Sequence, residues 1–183
     1  MTLEELVIAV LRVAGSLLVF RWAFVGGVIA ILTDFGDLFL KNLLHLGGVR
    51  DYQSFDKWLD QVYMAAFLAV ALRWAPAPRT IAVVLYTWRL AGFVVFEVTG
   101  ARTVLLAFPN LFEFWFLFVA STPHWRPGFR YTARATGLVL GVLLAVKEFQ
   151  EYALHQARWL DSFTAVEAVQ AIWDWLTGLG PTA

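Results

Sequence analysis

The chain contains no cysteine and little charge, and neither sign of charge dominates. The absence of cysteine from 183 residues excludes disulfides, thiolate-held iron–sulfur clusters and thiol catalysis. Charged residues make up 15% of the chain, 14 Lys and Arg against 14 Asp and Glu, where a soluble domain carries about 25%. A formal charge of zero gives no basic field, so nucleic acid is not an expected partner. The sequence also lacks a G-x-x-x-x-G-K-[ST] phosphate loop, a G-x-S-x-G nucleophile turn and an H-E-x-x-H zinc helix. Its three histidines, His45, His124 and His155, are too scattered to suggest haem or pigment binding. The opening MTLEEL is acidic and no small-residue cleavage site follows a short apolar core, so it is not read as a cleaved signal.

Apolar residues, by contrast, are abundant. They account for 60% of the chain, and the mean hydropathy is +0.68. One core of this size cannot hide so much apolar surface, so the expected solvent is lipid. Nine tryptophans suit two lipid–water interfaces, where amphipathic rings are favoured.

A spanning helix takes about 20 predominantly apolar residues. From Leu3 to Leu40 the chain is apolar apart from Glu4 and Glu5 at its start and Arg12, Arg21, Asp34 and Asp37, which is too long for one span. Two readings fit: one span over 18–40 after an interfacial helix, or two helices breaking near Arg21. Residues 41–57 are polar with a Gly47-Gly48 turn signal and read as a loop. Further spans are expected over 58–74, 80–98, 103–120 and 135–154, separated by APAPR, TGAR and the arginine-rich STPHWRPGFRYTAR. Residues 161–180 form a shorter amphipathic pattern, with Thr164 and Glu167 at capping-box spacing. The chain is therefore read as an all-α, polytopic membrane bundle of five or six helices over 1–155, with an interfacial or docking helix and tail over 156–183. The expected location is the cell membrane, plasma or inner membrane in a prokaryote, with lipids as surroundings. Lys41, Arg50 and Lys57 on one side balance Arg126, Arg130 and Arg134 on the other, so loop charge does not set the orientation.

Ala133, Gly137, Gly141 and Ala145 repeat every four residues, a stripe that lets another helix approach closely. An intramolecular neighbour is the favoured occupant, and a homodimer through the Gly137 and Gly141 face is the alternative.

Several ionisable residues fall where a span should be apolar. They are Arg89 in the third expected span, Glu113 in the fourth, and Lys147, Glu148 and Glu151 in the fifth. Each costs ~2.5–3.5 kcal/mol at a helix centre unless paired or facing a polar cavity. The economical arrangement turns them inward, with Arg89 balancing Glu113, Glu148 or an aspartate. Pro109-Asn110 frees a backbone carbonyl, and such breaks line cavities. Glu148, Glu151 and His155 share a helix face that could hold a metal, a weak pattern more often met at a hydrated helix end. Together Arg89, Asn110, Glu113, Lys147, Glu148, Glu151 and His155 make a candidate network for an ion, a proton or a small polar solute.

A second constellation lies earlier. ILTDFGDLFL (31–40) carries Asp34 and Asp37, and DYQSFDKWLD (51–60) carries Asp56 and Asp60, so D-x-x-D is followed after eighteen residues by D-x-x-x-D. Four carboxylates on two helix ends suit Mg²⁺ or Mn²⁺, and a cation would neutralise them at that depth. The bland alternative is that Asp51, Asp56, Lys57 and Asp60 form a solvated helix start.

Over residues 34–60 this arrangement resembles the CDP-alcohol phosphotransferase family, whose signature is D-x-x-D-G-x-x-A-R, then G-x-x-x-D-x-x-x-D. The resemblance implies a polytopic lipid enzyme with Asp34, Asp37 and Asp56 as metal ligands and Asp60 as ligand or catalytic base. Here Leu38 replaces the glycine after the second aspartate, Lys41 and Asn42 stand for Ala-Arg, and Tyr52 or Gln53 replaces the later glycine. Three functional readings follow: a binding or transport protein using the inward charges, a metal-dependent lipid phosphotransferase, and an assembly subunit whose charges specify packing.

Overall fold

Thr2 starts the first helix. Its hydroxyl accepts the Glu5 amide at 3.1 Å while its own amide donates to Glu5 Oε2 at 2.9 Å, a reciprocal cap that satisfies two otherwise orphaned donors. The computed structural model describes residues 2–43, 52–100, 104, 107–151, 173, 174 and 177. These residues fold into six α-helices and one turn of 3-10 helix, with no strand among them. The protein is all-α.

Helix α1 (Leu3–Leu17) runs into the 3-10 turn Leu18–Phe20, and α2 (Ala23–Leu43) turns back beside it. Of the two readings of this stretch, the break near Arg21 is the one observed. Gly26 makes the hairpin possible. A Cβ there would lie 2.4 Å from the backbone of Leu18 and Val19, so α2 packs directly on the turn it has just left.

Helix α3 (Tyr52–Ala71) begins six residues before the expected span. The loop expected over 41–57 is therefore helical at 41–43 and 52–57. Nothing in YQSFDK breaks a helix, because the glycine signal lies upstream at 47–48. Helix α4 (Pro76–Thr99) has proline in its first turn, where the missing amide costs nothing. It stops at Gly100, whose left-handed φ of 66° lets its amide reach the Phe96 carbonyl at 2.7 Å.

The span expected over 103–120 is interrupted. Backbone at 108–110 is non-helical, and α5 (Leu111–Trp125) starts only after Pro109-Asn110, since proline supplies no amide. α5 then continues through Pro123, beyond the expected end. After the turn at 126–132 comes α6 (Ala133–Glu151). The amphipathic segment expected over 161–180 lies outside the described residues apart from 173, 174 and 177.

Short connections at 18–22, 72–75 and 126–132 fold consecutive helices antiparallel, and α3 packs against α1, α2, α4 and α5. An aromatic core fills the α3–α5 contact. Phe67 stacks on Phe116 with ring centroids 4.1 Å apart, and Trp74 also stacks on Phe116, at 5.2 Å. Trp115 is fully buried and gives its indole N–H to the Pro78 carbonyl, in the first turn of α4, at 3.1 Å.

Elsewhere the usual distribution is inverted. Val10, Val13 and Leu17 on α1, Val84, Val94 and Val98 on α4, and Leu138, Val142 and Phe149 on α6 are all exposed. Arg12, Asp60, Arg89, Asn110, Glu113 and Lys147 are all buried. Among the described helices α4 is both long and apolar enough to cross a membrane, and Ala23–Asp34 is a shorter apolar segment.

The stripe Ala133, Gly137, Gly141 and Ala145 faces outward. All four residues are exposed, and a Cβ on Gly137 or Gly141 would meet nothing within 4 Å. The intramolecular neighbour favoured for that face does not exist among the described residues, because α5 packs on the opposite side of α6, where Thr136 and Lys147 are buried.

Candidate functional site

Each of the six helices sends a polar side chain inward. Two groups of them form.

The first group explains the aspartates. Arg12, in the middle of α1, is 2% exposed. Folding α1 against α2 and α3 brings its guanidinium to Asp34 and Asp60 together. Arg12 Nη2 pairs with Asp34 Oδ1 and donates to Asp60 Oδ1 at 2.7 Å. Lys57, one turn before Asp60 on α3, donates to Asp60 Oδ2 at 3.1 Å. Among the described residues, two carboxylates thus meet two cations. That pairing is what makes burial tolerable, since an uncompensated charge would carry its full desolvation cost.

The first and last aspartates of the quartet therefore do come together, on an arginine. Arg12 and Lys57 engage Asp34 Oδ1 and both Asp60 carboxylate oxygens. Among the described residues no three His, Asp or Glu side chains converge as metal ligands. The side chains of Asp37 and Asp56 lie outside the described residues. Asp60 is buried, so the solvated-helix-start reading fails for it.

The second group lies one turn deeper along α3. Tyr63, three residues after Asp60 and on the same face, donates its hydroxyl hydrogen bond to Glu113 Oε1 and accepts one from Asn110 Nδ2 at 3.3 Å. Glu113 stands in the first turn of α5, where a carboxylate complements the helix dipole. It lies within electrostatic reach of Lys147, Asp60 and Arg89. Lys147 donates to Gln150 Oε1 at 3.2 Å and sits 5.7 Å over the Phe114 ring.

Arg89 was expected to balance a carboxylate. Its hydrogen bond goes instead to the Phe108 carbonyl, at 2.9 Å. That carbonyl is free because the helix breaks at Pro109. Gly92, nearly one turn further along α4, lets Phe108 in: a Cβ there would lie 2.3 Å from it.

Glu148 is exposed on the outer side of α6. Successive helical residues lie about 100° apart, so burying Lys147 turns Glu148 away from the interior. The Glu151 side chain and all of His155 lie outside the described residues. The structure thus gathers Arg89, Asn110, Glu113 and Lys147 and leaves Glu148 aside.

Two residues central to this arrangement were not singled out as site residues from sequence. Arg12 is the lone cation of α1, and a hairpin folded at Arg21 places it beside the helix carrying Asp34. Tyr63 could have been found from its i, i+3 spacing to Asp60.

Among the described residues, the buried side-chain atoms without a hydrogen-bond partner include Gln61 Oε1 on α3, and Asn110 Oδ1, an acceptor, and Arg89 Nε, a donor, which flank the break that begins α5. Buried polar groups in folded proteins are nearly always satisfied, and an exception calls for a reason. Comparison of the chain with family models, with curated proteins and with solved structures gives no match.

Proposed function

We propose that the protein is a multi-pass membrane protein that handles an ion, a proton or a small polar solute at the interrupted helix, in the interior of its bundle. The observation that carries this reading is the pair of unpartnered atoms at the break, Asn110 Oδ1 and Arg89 Nε, beside the Glu113–Tyr63 hydrogen bond. Each unsatisfied buried group costs ~1–3 kcal/mol, and these two lie together at the break that begins α5. A broken helix whose new N-terminus opens among polar side chains is the arrangement by which membrane bundles present backbone and charge to a solute. The exposed valines and leucines of α1, α4 and α6 and the apolar length of α4 support lipid as the surrounding solvent.

The test uses the purified full chain in lipid vesicles carrying a pH-sensitive dye inside, with a proton gradient imposed. Protons are the first probe, because a carboxyl hydrogen-bonded to a phenol can exchange one. Vesicles with the native protein should dissipate the gradient faster than empty ones, and Glu113→Gln should return the rate to the empty-vesicle value. The same pair is then run with sodium, potassium and chloride gradients. Native vesicles as tight as empty ones to all four ions, or flux that Glu113→Gln and Asn110→Leu leave unchanged, would overturn the reading and assign the charges to packing alone.

A further inference from the structure

At the other end of the bundle, where α1 turns into α2 and α5 ends, a cleft of about 380 Å³ opens between the start of α2 and the last turn of α5. Its basic side chains meet no carboxylate among the described residues. The Arg21 guanidinium lies 5.4 Å from the Trp22 ring centre and makes no ion pair, and His124 makes no hydrogen bond, in each case among the described residues. Ala23, Phe24 and Val25 also line the cleft, and no acceptor among the described residues meets their amides. No carboxylate lines it. Trp22 and Trp125 stand at its sides, 54% and 70% exposed, with Phe24 packed edge-on against Trp125 at 5.1 Å.

We infer that this cleft binds the phosphate group of an anionic lipid headgroup, or of a soluble phosphate compound presenting the same chemistry. Amide donors at a helix start and a forked guanidinium suit an anion with several acceptor oxygens. The aromatic walls suit a group at the lipid–water boundary, where indole rings are favoured. The lipid source rests on the membrane reading above. The anion chemistry does not, since it follows from the cleft's own donors.

Native mass spectrometry of the full chain in neutral detergent tests this, with phosphatidylglycerol, phosphatidylcholine and inorganic phosphate as separate probes. One phosphatidylglycerol should be retained per chain, about tenfold more tightly than phosphatidylcholine, as one charge-assisted contact predicts. Arg21→Ala with His124→Ala should abolish that preference, and Arg79→Ala, an exposed arginine outside the cleft, should leave it intact. If inorganic phosphate alone binds in an Arg21-dependent way, the site stands and its ligand is soluble. Equal retention of both lipids with no phosphate binding would overturn the inference, as would a preference that survives the double substitution. Because all three probes are read in detergent, either failure is distinct from a failure of the flux experiment.

Discussion

At the scale of single residues, the network turns on Arg12. Its side chain is 3% exposed and holds two carboxylates, of which Asp60 is 8% exposed and Asp34 25%. Arg12→Leu would take from both aspartates the guanidinium they share. Removing one partner of a buried pair costs ~3–5 kcal/mol, so thermal unfolding in detergent should show a large drop in midpoint. Replacing Arg12, Asp34 and Asp60 together by leucine should recover most of that loss, since apolar side chains of similar volume tolerate burial as well as a paired network does. A single substitution as stable as the native chain would mean that the cluster is hydrated. The need for partners was legible from the sequence for the carboxylates at 34, 37 and 113, which stand in apolar surroundings. Partner identity was not. A helix pattern gives the face a residue occupies, and which helix lies opposite is decided by tertiary packing. That is why Arg89 meets a carbonyl and why an arginine stands where a cation was expected.

At the scale of helices, glycines separate close approach from open surface. Gly26 sits against the backbone of Leu18 and Val19, with only 2.4 Å for a Cβ, whereas Gly141 has nothing within 4 Å. Backbone cannot move aside as a side chain can, so Gly26→Ala should destabilise the hairpin by ~1–3 kcal/mol through overpacking. Gly141→Ala should stabilise α6 by up to ~1 kcal/mol, the helix-propensity difference. Circular dichroism melts of the two variants make the comparison. A loss of stability in Gly141→Ala would show that another copy or a further segment covers that face. The helix boundary at Gly100 was legible, where punctuation is local. Boundaries were misplaced at α3, whose start carries no breaker, at α4, which starts at Pro76 inside the APAPR read as a separator, and at α5, where a period-based reading runs straight through Pro109. At that last position the departure from a regular span coincides with the unpartnered atoms of the candidate site.

At the scale of the whole molecule, the account holds that apolar surface faces lipid and charge faces inward. The apolar excess was legible in composition alone. Inward charge was expected from its place in the spans, but which side of each helix is covered emerged only with the fold. The antiparallel order also makes a geometric prediction. The connections at 72–75 and 126–132 belong to one end of the bundle, and Gly100 belongs to the other. Since the chain has no native cysteine, single cysteines can be placed without background. The most direct measurement is labelling of Arg73→Cys, Gly128→Cys and Gly100→Cys in sealed, uniformly oriented vesicles with a membrane-impermeant maleimide, before and after permeabilisation. The account predicts that positions 73 and 128 react from the same side and position 100 only from the opposite one. Labelling of all three from one side of intact vesicles would contradict it.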